Sequence, residues 1–320
     1  MTSKKISDQD KTSRLVEVAR LYYEHRFSQQ QIAVKLKISR PGVSRLLQQA
    51  RDEGIVCIEI RDPTARGILL EETLRERFGL KRVMVVPSDG QGGAELLGRL
   101  GATAARYLDE IVHVGLVLGV SWGTTMQEVT RHLRPKPIEE MTVVQLNGGI
   151  SKADYDTRAS DVVQRTGASY AASPYLLPLP AVVDHADLKR AIISDKNIAR
   201  TLELARSAEA ALFTVGAFNH ESVLVKADYF GPREVQHLLR QGAVGDICSR
   251  IIDSRGKICW PELDGRTIGI ELRDLSLKPY AIAVAGGVEK LKAIRAGLEG
   301  KHFNVLITDE WVAGELVRAG

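Results

Sequence analysis

Residues 115–149 read GLVLGVSWGTTMQEVTRHLRPKPIEEMTVVQLNGG. GLVLGV is a short apolar run that stops at a glycine- and hydroxyl-rich turn, the pattern of a buried strand. TTMQEVTRHL reads as a helix, and MTVVQL is a second apolar run closed by Asn147-Gly148-Gly149. Strand, helix and strand in this order imply a parallel crossover, because two adjacent parallel strands need a long connection between them.

The same alternation extends in both directions. Upstream lie a helix in ILLEETLRERFGL (68–80), a strand in KRVMVVPS (81–88) and a helix in GGAELLGRLGATAARYLDE (92–110). Downstream come a helix in ASDVVQRTG (159–167), a strand in EAALFTVG (209–216) and a helix in REVQHLLRQG (233–242). The chain then offers a strand in YAIAVAGG (280–287), a helix in VEKLKAIRAGLEG (288–300) and a strand in FNVLITD (303–309). Continuous Val, Ile and Leu runs separated by helices predict an α/β body over 63–320. Its core is a doubly wound, mostly parallel sheet.

In such sheets ligands sit beyond the carboxyl ends of the strands, where the strand order reverses. Five turns fall at expected strand ends. The first holds Gly119, Ser121, Trp122, Gly123, Thr124 and Thr125, whose hydroxyls and helix-start amides suit a phosphate. The others hold Asn147 and Gly148, then Thr214, then Gly245-Asp246-Ile247, and finally Gly286, Gly287 and Lys290. Asp246 can accept sugar hydroxyls, and Lys290 can reach an anion. Each turn alone also fits an ordinary capped connection. Neither GxxxxGK[ST] nor GxGxxG occurs at them, so no nucleotide is specified.

The first 62 residues differ in character. The chain of 320 residues carries a formal net charge of +4. Residues 1–62 hold twelve Lys/Arg against eight Asp/Glu, so the whole excess lies there. Between Glu24 and Asp52 stand Arg26, Lys35, Lys37, Arg40, Arg45 and Arg51, and no acid. An acid-free basic stretch suits the phosphate lattice of DNA, whose counterions it displaces.

The local pattern of this head is helical. Leu15, Val18, Ala19 and Tyr22 share one face of a helix over 12–24. Ser28 and Gln31 form a capping box that opens a second helix, with Ile32, Ala33 and Leu36 buried. Ser39 caps a third, with Arg40 and Pro41 in its first turn and Gly54 beyond its end. Val43, Leu46 and Leu47 face inward. IVCIEIRD (55–62) alternates and predicts a strand, the wing of a winged head. The pair of short helices predicts a helix-turn-helix domain over 1–62, with the second helix in the major groove. Its DNA-facing set is Ser28, Gln29, Ser39, Arg40, Pro41, Gly42, Ser44, Arg45 and Gln48. Arg suits guanine and Gln suits adenine, whereas Arg26, Lys35 and Lys37 suit phosphates.

Composition narrows the class further. Three cysteines at unrelated spacings give neither a disulfide framework nor a zinc site, which fits a cytoplasmic protein. No secretory leader and no membrane-length apolar run is present in the sequence. No cofactor and no metal is expected.

Taken together, LYYEHRFSQQQIAVKLKISRPGVSRLLQQAR, GVSWGTT, VVQLNGG, LPLP, LFTVG, AVGDICSR, RTIGIEL and VAGGVEK resemble the SorC family of sugar-responsive transcription regulators, almost end to end. The resemblance implies an effector domain similar to phosphosugar isomerases and deaminases. It also implies a homodimer or homotetramer that binds operator DNA and is controlled by a phosphorylated sugar. By motif, Gly119, Ser121, Trp122, Gly123, Thr124, Thr125 and Lys290 would hold the phosphate. Asp246, Asn147 and Gly148 would face the sugar, and Thr214 would line the pocket.

Close relatives can carry lysine where this chain has Asn147, and an amide cannot form an imine with a sugar aldehyde. Deoxyribose 5-phosphate therefore stands as a candidate bound noncovalently, beside other sugar or polyol phosphates. The expectation is a repressor of carbohydrate or deoxyribonucleoside catabolism genes. The competing reading is a phosphosugar isomerase or deaminase with a fused DNA-binding head. That reading needs a general acid and base converging on the sugar, and beside Asp246 the neighbouring turns offer no convincing set of Asp, His and Glu. His185, in VVDHADLK, reads as a helix-start residue on the surface.

Overall fold

A computed structural model of the chain describes residues 8–56, 63–88, 90, 92–151 and 156–318. The chain divides into two compact units, Met1–Asp62 and Pro63–Gly320.

Among its described residues the smaller unit contains three helices, α1 (Asp8–Tyr23), α2 (Gln29–Leu36) and α3 (Arg40–Asp52). Ser28 and Gln31 make the reciprocal capping box. Lys37 ends α2 in the left-handed region, and Ser39 Oγ accepts from the Gly42 N–H at 3.2 Å to start α3. Val18, Leu21, Ile32, Ala33, Val43 and Leu47 form the core, because the three helices bring these faces together. Leu21 rather than Tyr22 is the fully enclosed member of the last turn of α1; Tyr22 packs edge-on against Tyr23 at the rim. Gly54 follows α3 with φ 72, where glycine avoids a side-chain clash. Of the expected wing strand, Ile55 and Val56 pack against Leu15, Ala19 and Ala50. Residues 57–62 lie outside the described residues.

Among the described residues the larger unit is built on ten strands. In chain order they are β1 (Arg82–Val86), β2 (Val117–Val120), β3 (Thr142–Gln145), β4 (Ser173–Tyr175), β5 (Ala210–Phe213), β6 (Val215–Ala217), β7 (Ala243–Ile247), β8 (Arg250–Asp253), β9 (Tyr280–Val284) and β10 (Val305–Asp309). Seven of them form one sheet in the order β1-β10-β9-β5-β2-β3-β4, and every pairing in it is parallel. From β2 the chain builds outward through β3 to β4. It then crosses back to β5 on the other side of β2, so the order reverses between β2 and β5.

Helices cover both faces. Against one lie α5 (Ala94–Ile111), α6 (Thr124–His132) and α7 (Ala159–Tyr170); α4 (Pro63–Phe78) lies on the opposite face. After β4 come α8 (Ala186–Ile193) and α9 (Lys196–Ser207), then the short α10 (Val223–Lys226) and α11 (Pro232–Arg240). The short α12 (Pro261–Asp264) and α13 (Leu272–Ser276) precede α14 (Leu291–Glu299) and α15 (Glu310–Arg318). The strands read as near-continuous apolar runs because both faces are buried. Along β9, Ile282 and Val284 join Leu100 and Leu108 of α5, whereas Ala281 and Ala283 join the core shared with Leu74 of α4 and Ile294 of α14. This is the doubly wound arrangement expected from 115–149.

Two expected features differ. EAALFTVG is two strands rather than one. It breaks at Thr214, where β5 leaves the large sheet and β6 enters a second, antiparallel sheet of order β6-β7-β8. Gly245-Asp246-Ile247 is consequently not a strand-end turn but the body of β7. The five turns therefore do not share one sheet edge: the second sheet supplies one wall of the site. His185 is the exposed residue preceding α8, as read.

Candidate functional site

A cavity of about 270 Å³ opens at the carboxyl end of the large sheet, at the β2/β5 reversal. This is where an open parallel sheet leaves a crevice, and the volume suits one small metabolite. The loop after β2 contributes Ser121, Trp122, Gly123, Thr124 and Thr125; Asn147 follows β3 and Thr214 follows β5. Asp246, Cys248 and Ser249 come from the β7–β8 hairpin, and Lys290 from the 3-10 turn before α14.

Gly123 precedes α6 with φ 120, a conformation that favours glycine, and no side chain caps that helix start. The first-turn amides of α6 and the Thr124 and Thr125 hydroxyls are thus available as donors beside the positive end of the helix dipole. Lys290 Nζ lies 3.5 Å from Thr125 Oγ1. Burial lowers the Lys290 ammonium's pKa, against the opposing pull of Glu289 and Asp246. One ammonium, two hydroxyls and the helix amides together make an anion pole.

Asp246 faces Gly216 across the β6–β7 ladder. A Cβ on Gly216 would stand 2.2 Å from Asp246 Oδ1, so glycine is what leaves room for the carboxylate. Asp246 Oδ2 accepts from the Ser249 N–H at 3.2 Å. Burial pushes this carboxyl up to about 6, although that hydrogen bond and Lys290 both favour its charged form. The hairpin turn that supplies the amide is unusual. Both of its central residues are left-handed, Cys248 with φ 49 and Ser249 with φ 67, where Asn and Gly are the favoured pair. Non-glycine residues held there cost on the order of 1 kcal/mol each, a strain characteristic of ligand sites. The Cys248 thiol is pushed up to about 12 by burial, so it is a packing group and not a nucleophile.

Asn147 is 1% exposed, and its amide is committed. Its Oδ1 accepts from Ser121 Oγ at 2.9 Å, and its Nδ2 donates to Ser249 Oγ at 2.8 Å. It ties the loop after β2 to the β7–β8 turn, and it lines the cavity where the sequence suggested sugar contact. Trp122 similarly donates its indole N–H to the Gly148 carbonyl at 2.8 Å and packs into an apolar cluster with Ala159 and Phe218. Gly119, Gly148, Gly286 and Gly287 do not line the cavity. Gly119 makes way for Leu146, Gly148 for the Pro180 carbonyl, and Gly286 for the Asp309 carboxylate, while the Gly287 N–H donates to Asp309 at 2.7 Å.

Sequence reasoning missed the β6–α10 segment, where Asn219, Glu221 and Ser222 line the same cavity. The buried Ser222 hydroxyl has no hydrogen-bond partner and does not cap the helix it precedes. A serine directly before a short apolar turn gives no signal in sequence beyond an ordinary cap.

In the head, Arg40, Pro41, Ser44, Arg45 and Gln48 are exposed, whereas Gly42 is half-buried beside Ser39. Gln48 is held by Asp52 at 2.9 Å and Arg51 at 2.7 Å. Ser28 and Ser39 are spent on capping, and Gln29 is half-buried. Among the described residues Arg40 and Arg45 make no ion pair.

The Sugar-bind family model, which describes a sugar-binding domain, matches residues 62–318. The chain is 44% identical over 310 residues to the deoxyribonucleoside regulator of Bacillus subtilis, covering 97% of this chain and 99% of that relative. It is 29% identical to the sorbitol operon regulator of Klebsiella pneumoniae, covering 98% of this chain and 100% of the relative. The crystal structure of that full-length regulator, SorC, superposes with a TM-score of 0.72 over 98% of this chain and 100% of that one.

Proposed function

Since the chain belongs to the SorC family of transcription regulators with a sugar-binding domain, we propose that residues 1–62 bind operator DNA and that residues 63–320 release or retain it in response to a phosphorylated sugar. The regulators it resembles are named for deoxyribonucleoside and sorbitol operon control, and none of those named above is an enzyme. Repression of carbohydrate or deoxyribonucleoside catabolism genes, in a cytoplasmic homodimer or homotetramer, is the form this takes. Among the described residues no helix is long and apolar enough to cross a membrane.

The observation that carries the effector reading is the pairing, in one small cavity, of an uncapped helix start and Lys290 with the carboxylate of Asp246. The first set takes a phosphate, and the second takes hydroxyl donors. Deoxyribose 5-phosphate meets both requirements and fits without an imine, because Asn147 has no amine. The DNA-reading set is Arg40, Ser44, Arg45 and Gln48, oriented by the Ser39 cap, Pro41 and Gly42; Ser28 and Gln29 support the preceding helix. For the ligand to control DNA binding, it must prefer one of two states of the regulator.

Lys290→Ala is the direct test. Operator affinity without ligand should be unchanged. Affinity for deoxyribose 5-phosphate should fall by roughly 1.5–3 kcal/mol, the worth of a charged hydrogen bond. Calorimetry and DNA anisotropy read the two arms. Unchanged ligand affinity in Lys290→Ala would remove the anion pole, and absence of salt-dependent promoter binding would remove the DNA reading.

A further inference from the structure

We propose that Ser222 is a further contact for the effector, its hydroxyl taking from the bound ligand the hydrogen bond that the protein itself does not supply. The inference rests on the effector reading above and adds to it a residue from the segment between β6 and α10.

The other buried polar side chains at the cavity are bound to one another. Ser121 Oγ donates to Asn147 Oδ1 at 2.9 Å, and Asn147 Nδ2 donates to Ser249 Oγ at 2.8 Å. Asp246 Oδ2 accepts from the Ser249 N–H at 3.2 Å, and Lys290 Nζ lies 3.5 Å from Thr125 Oγ1. Ser222 lines the same cavity and is 8% exposed, yet among the described residues its hydroxyl has no hydrogen-bond partner. Burying a hydroxyl without a partner is destabilising, so such a group calls for an explanation.

Helix capping does not supply one. Ser222 stands directly before α10 with φ −64 and ψ 150, the conformation in which a serine side chain ordinarily accepts from a first-turn amide. Its side chain makes no such bond. The Val225 and Lys226 N–H groups donate instead to the Ser222 carbonyl, each at 3.0 Å, and the Ser222 N–H donates to the Asn219 carbonyl at 3.1 Å. The backbone of Ser222 is therefore fully used, and the hydroxyl alone is left over. Packing holds the segment where it is. Leu224 is buried in one apolar cluster with Trp122 and Phe218, and Tyr229 Oη donates to the Ile150 carbonyl at 2.7 Å. A hydroxyl both donates and accepts, so a ligand oxygen of either kind, sugar hydroxyl or phosphate ester, satisfies it. The same group thus weakens the ligand-free protein and strengthens the complex, and its removal must act on the two in opposite directions.

The experiment compares the full native chain with Ser222→Ala, by thermal melting without ligand and by calorimetry with 2-deoxyribose 5-phosphate, ribose 5-phosphate and fructose 6-phosphate. Without ligand the variant should melt higher, by about 2–4 °C, because an unsatisfied buried group has been removed. It should bind the tightest of the three esters roughly three- to tenfold more weakly, the worth of one neutral hydrogen bond. Hydrogen exchange at the Val223–Lys226 amides should slow on addition of that ester in the native chain and slow less in the variant. A purely structural serine cannot raise stability and lower affinity at once when it is lost. A lower melting temperature in the variant would show that the hydroxyl is already partnered in the ligand-free protein, and unchanged affinity would show that the ligand does not reach it; either result overturns the inference and leaves the effector reading standing. Failure of the native chain to bind any of the three esters would overturn the effector reading, and this inference with it.

Discussion

The exposed face of α3 in the head and the wall of the cavity are both polar, but they are held in opposite ways. On α3, Arg40, Ser44 and Arg45 stand exposed, and the two arginines make no ion pair among the described residues. In the cavity, Ser121, Asn147, Ser249 and Asp246 form a continuous chain of hydrogen bonds. A long polyanion can organise flexible cations as it docks, since counterion release does not require a fixed side-chain geometry. A small sugar offers few contacts, so its site must be ordered beforehand. Two arginines make the contrast measurable: Arg45 belongs to the first kind of surface and Arg250 to the second.

Arg250 should give the largest effect. It is buried, donates to the Ile270 carbonyl at 2.7 Å and the Gly269 carbonyl at 3.1 Å, and pairs with Asp264. Arg250→Ala strands these acceptors and should cost about 3–5 kcal/mol of stability by urea denaturation. Because β8 follows directly on the Cys248-Ser249 turn, ligand binding should weaken as well. A loss below about 1 kcal/mol would mean that the pair is solvated and the contrast with the head is false.

Acid sharpens the same contrast, because the cavity holds a buried carboxyl and the exposed face of α3 has none. Asp246 rises on folding from 3.8 to about 6. The folded state thus binds the proton more tightly than the unfolded state. This contribution is fully present below about pH 4 and is lost as the pH climbs through about 6, on the order of 3 kcal/mol. Melting temperatures of the native chain and Asp246→Asn, followed across that window, should diverge as pH rises, the native chain losing relative stability. Parallel curves would show that Asp246 is hydrated.

Arg45→Ala comes next. Stability should move by no more than about 0.5 kcal/mol, as for other exposed positions. Operator affinity should fall by roughly 1–3 kcal/mol if Arg45 reads a base. Fluorescence anisotropy at two salt concentrations separates base reading from phosphate contact: loss of a phosphate contact lowers the salt slope by about one, and loss of a base contact lowers specificity.

The two regions were also unequally legible in sequence. The head is written locally: Ser28, Gln31, Ser39, Pro41 and Gly54 stand at fixed offsets from the apolar faces they cap, and the structure shows those caps. The large sheet was equally readable, because burial on both faces makes its strands apolar throughout. The cavity was only half readable. The turn at 121–125 announces itself through its glycine and hydroxyls, but the break at Thr214 does not. EAALFTVG is apolar on both sides of it, and apolar periodicity cannot show that hydrogen-bond partners change from one sheet to another. Asp246 was picked out but placed in a turn rather than on β7, because its setting depends on β6–β7 pairing, and Ser222, which follows β6, was missed. Of the strand expected over 55–62 as a wing, residues 57–62 lie outside the described residues.

The smallest expected effect tests whether the head's exposed face depends on any fixed geometry at all. Ser39 Oγ accepts from the Gly42 N–H at 3.2 Å, and Arg40, Ser44 and Arg45 sit within the helix that this bond begins. Ser39→Ala should cost about 1 kcal/mol locally. Hydrogen exchange on the full chain should show faster exchange at the first amides of α3, with little change in the large sheet. If the cap fixes the register of the base-reading side chains, specific operator affinity should fall about fivefold while nonspecific DNA affinity stays level, because phosphate contacts tolerate a frayed helix start. Equal losses on both DNAs would mean that Ser39 itself contacts the backbone, and the head would then be as precisely built as the cavity.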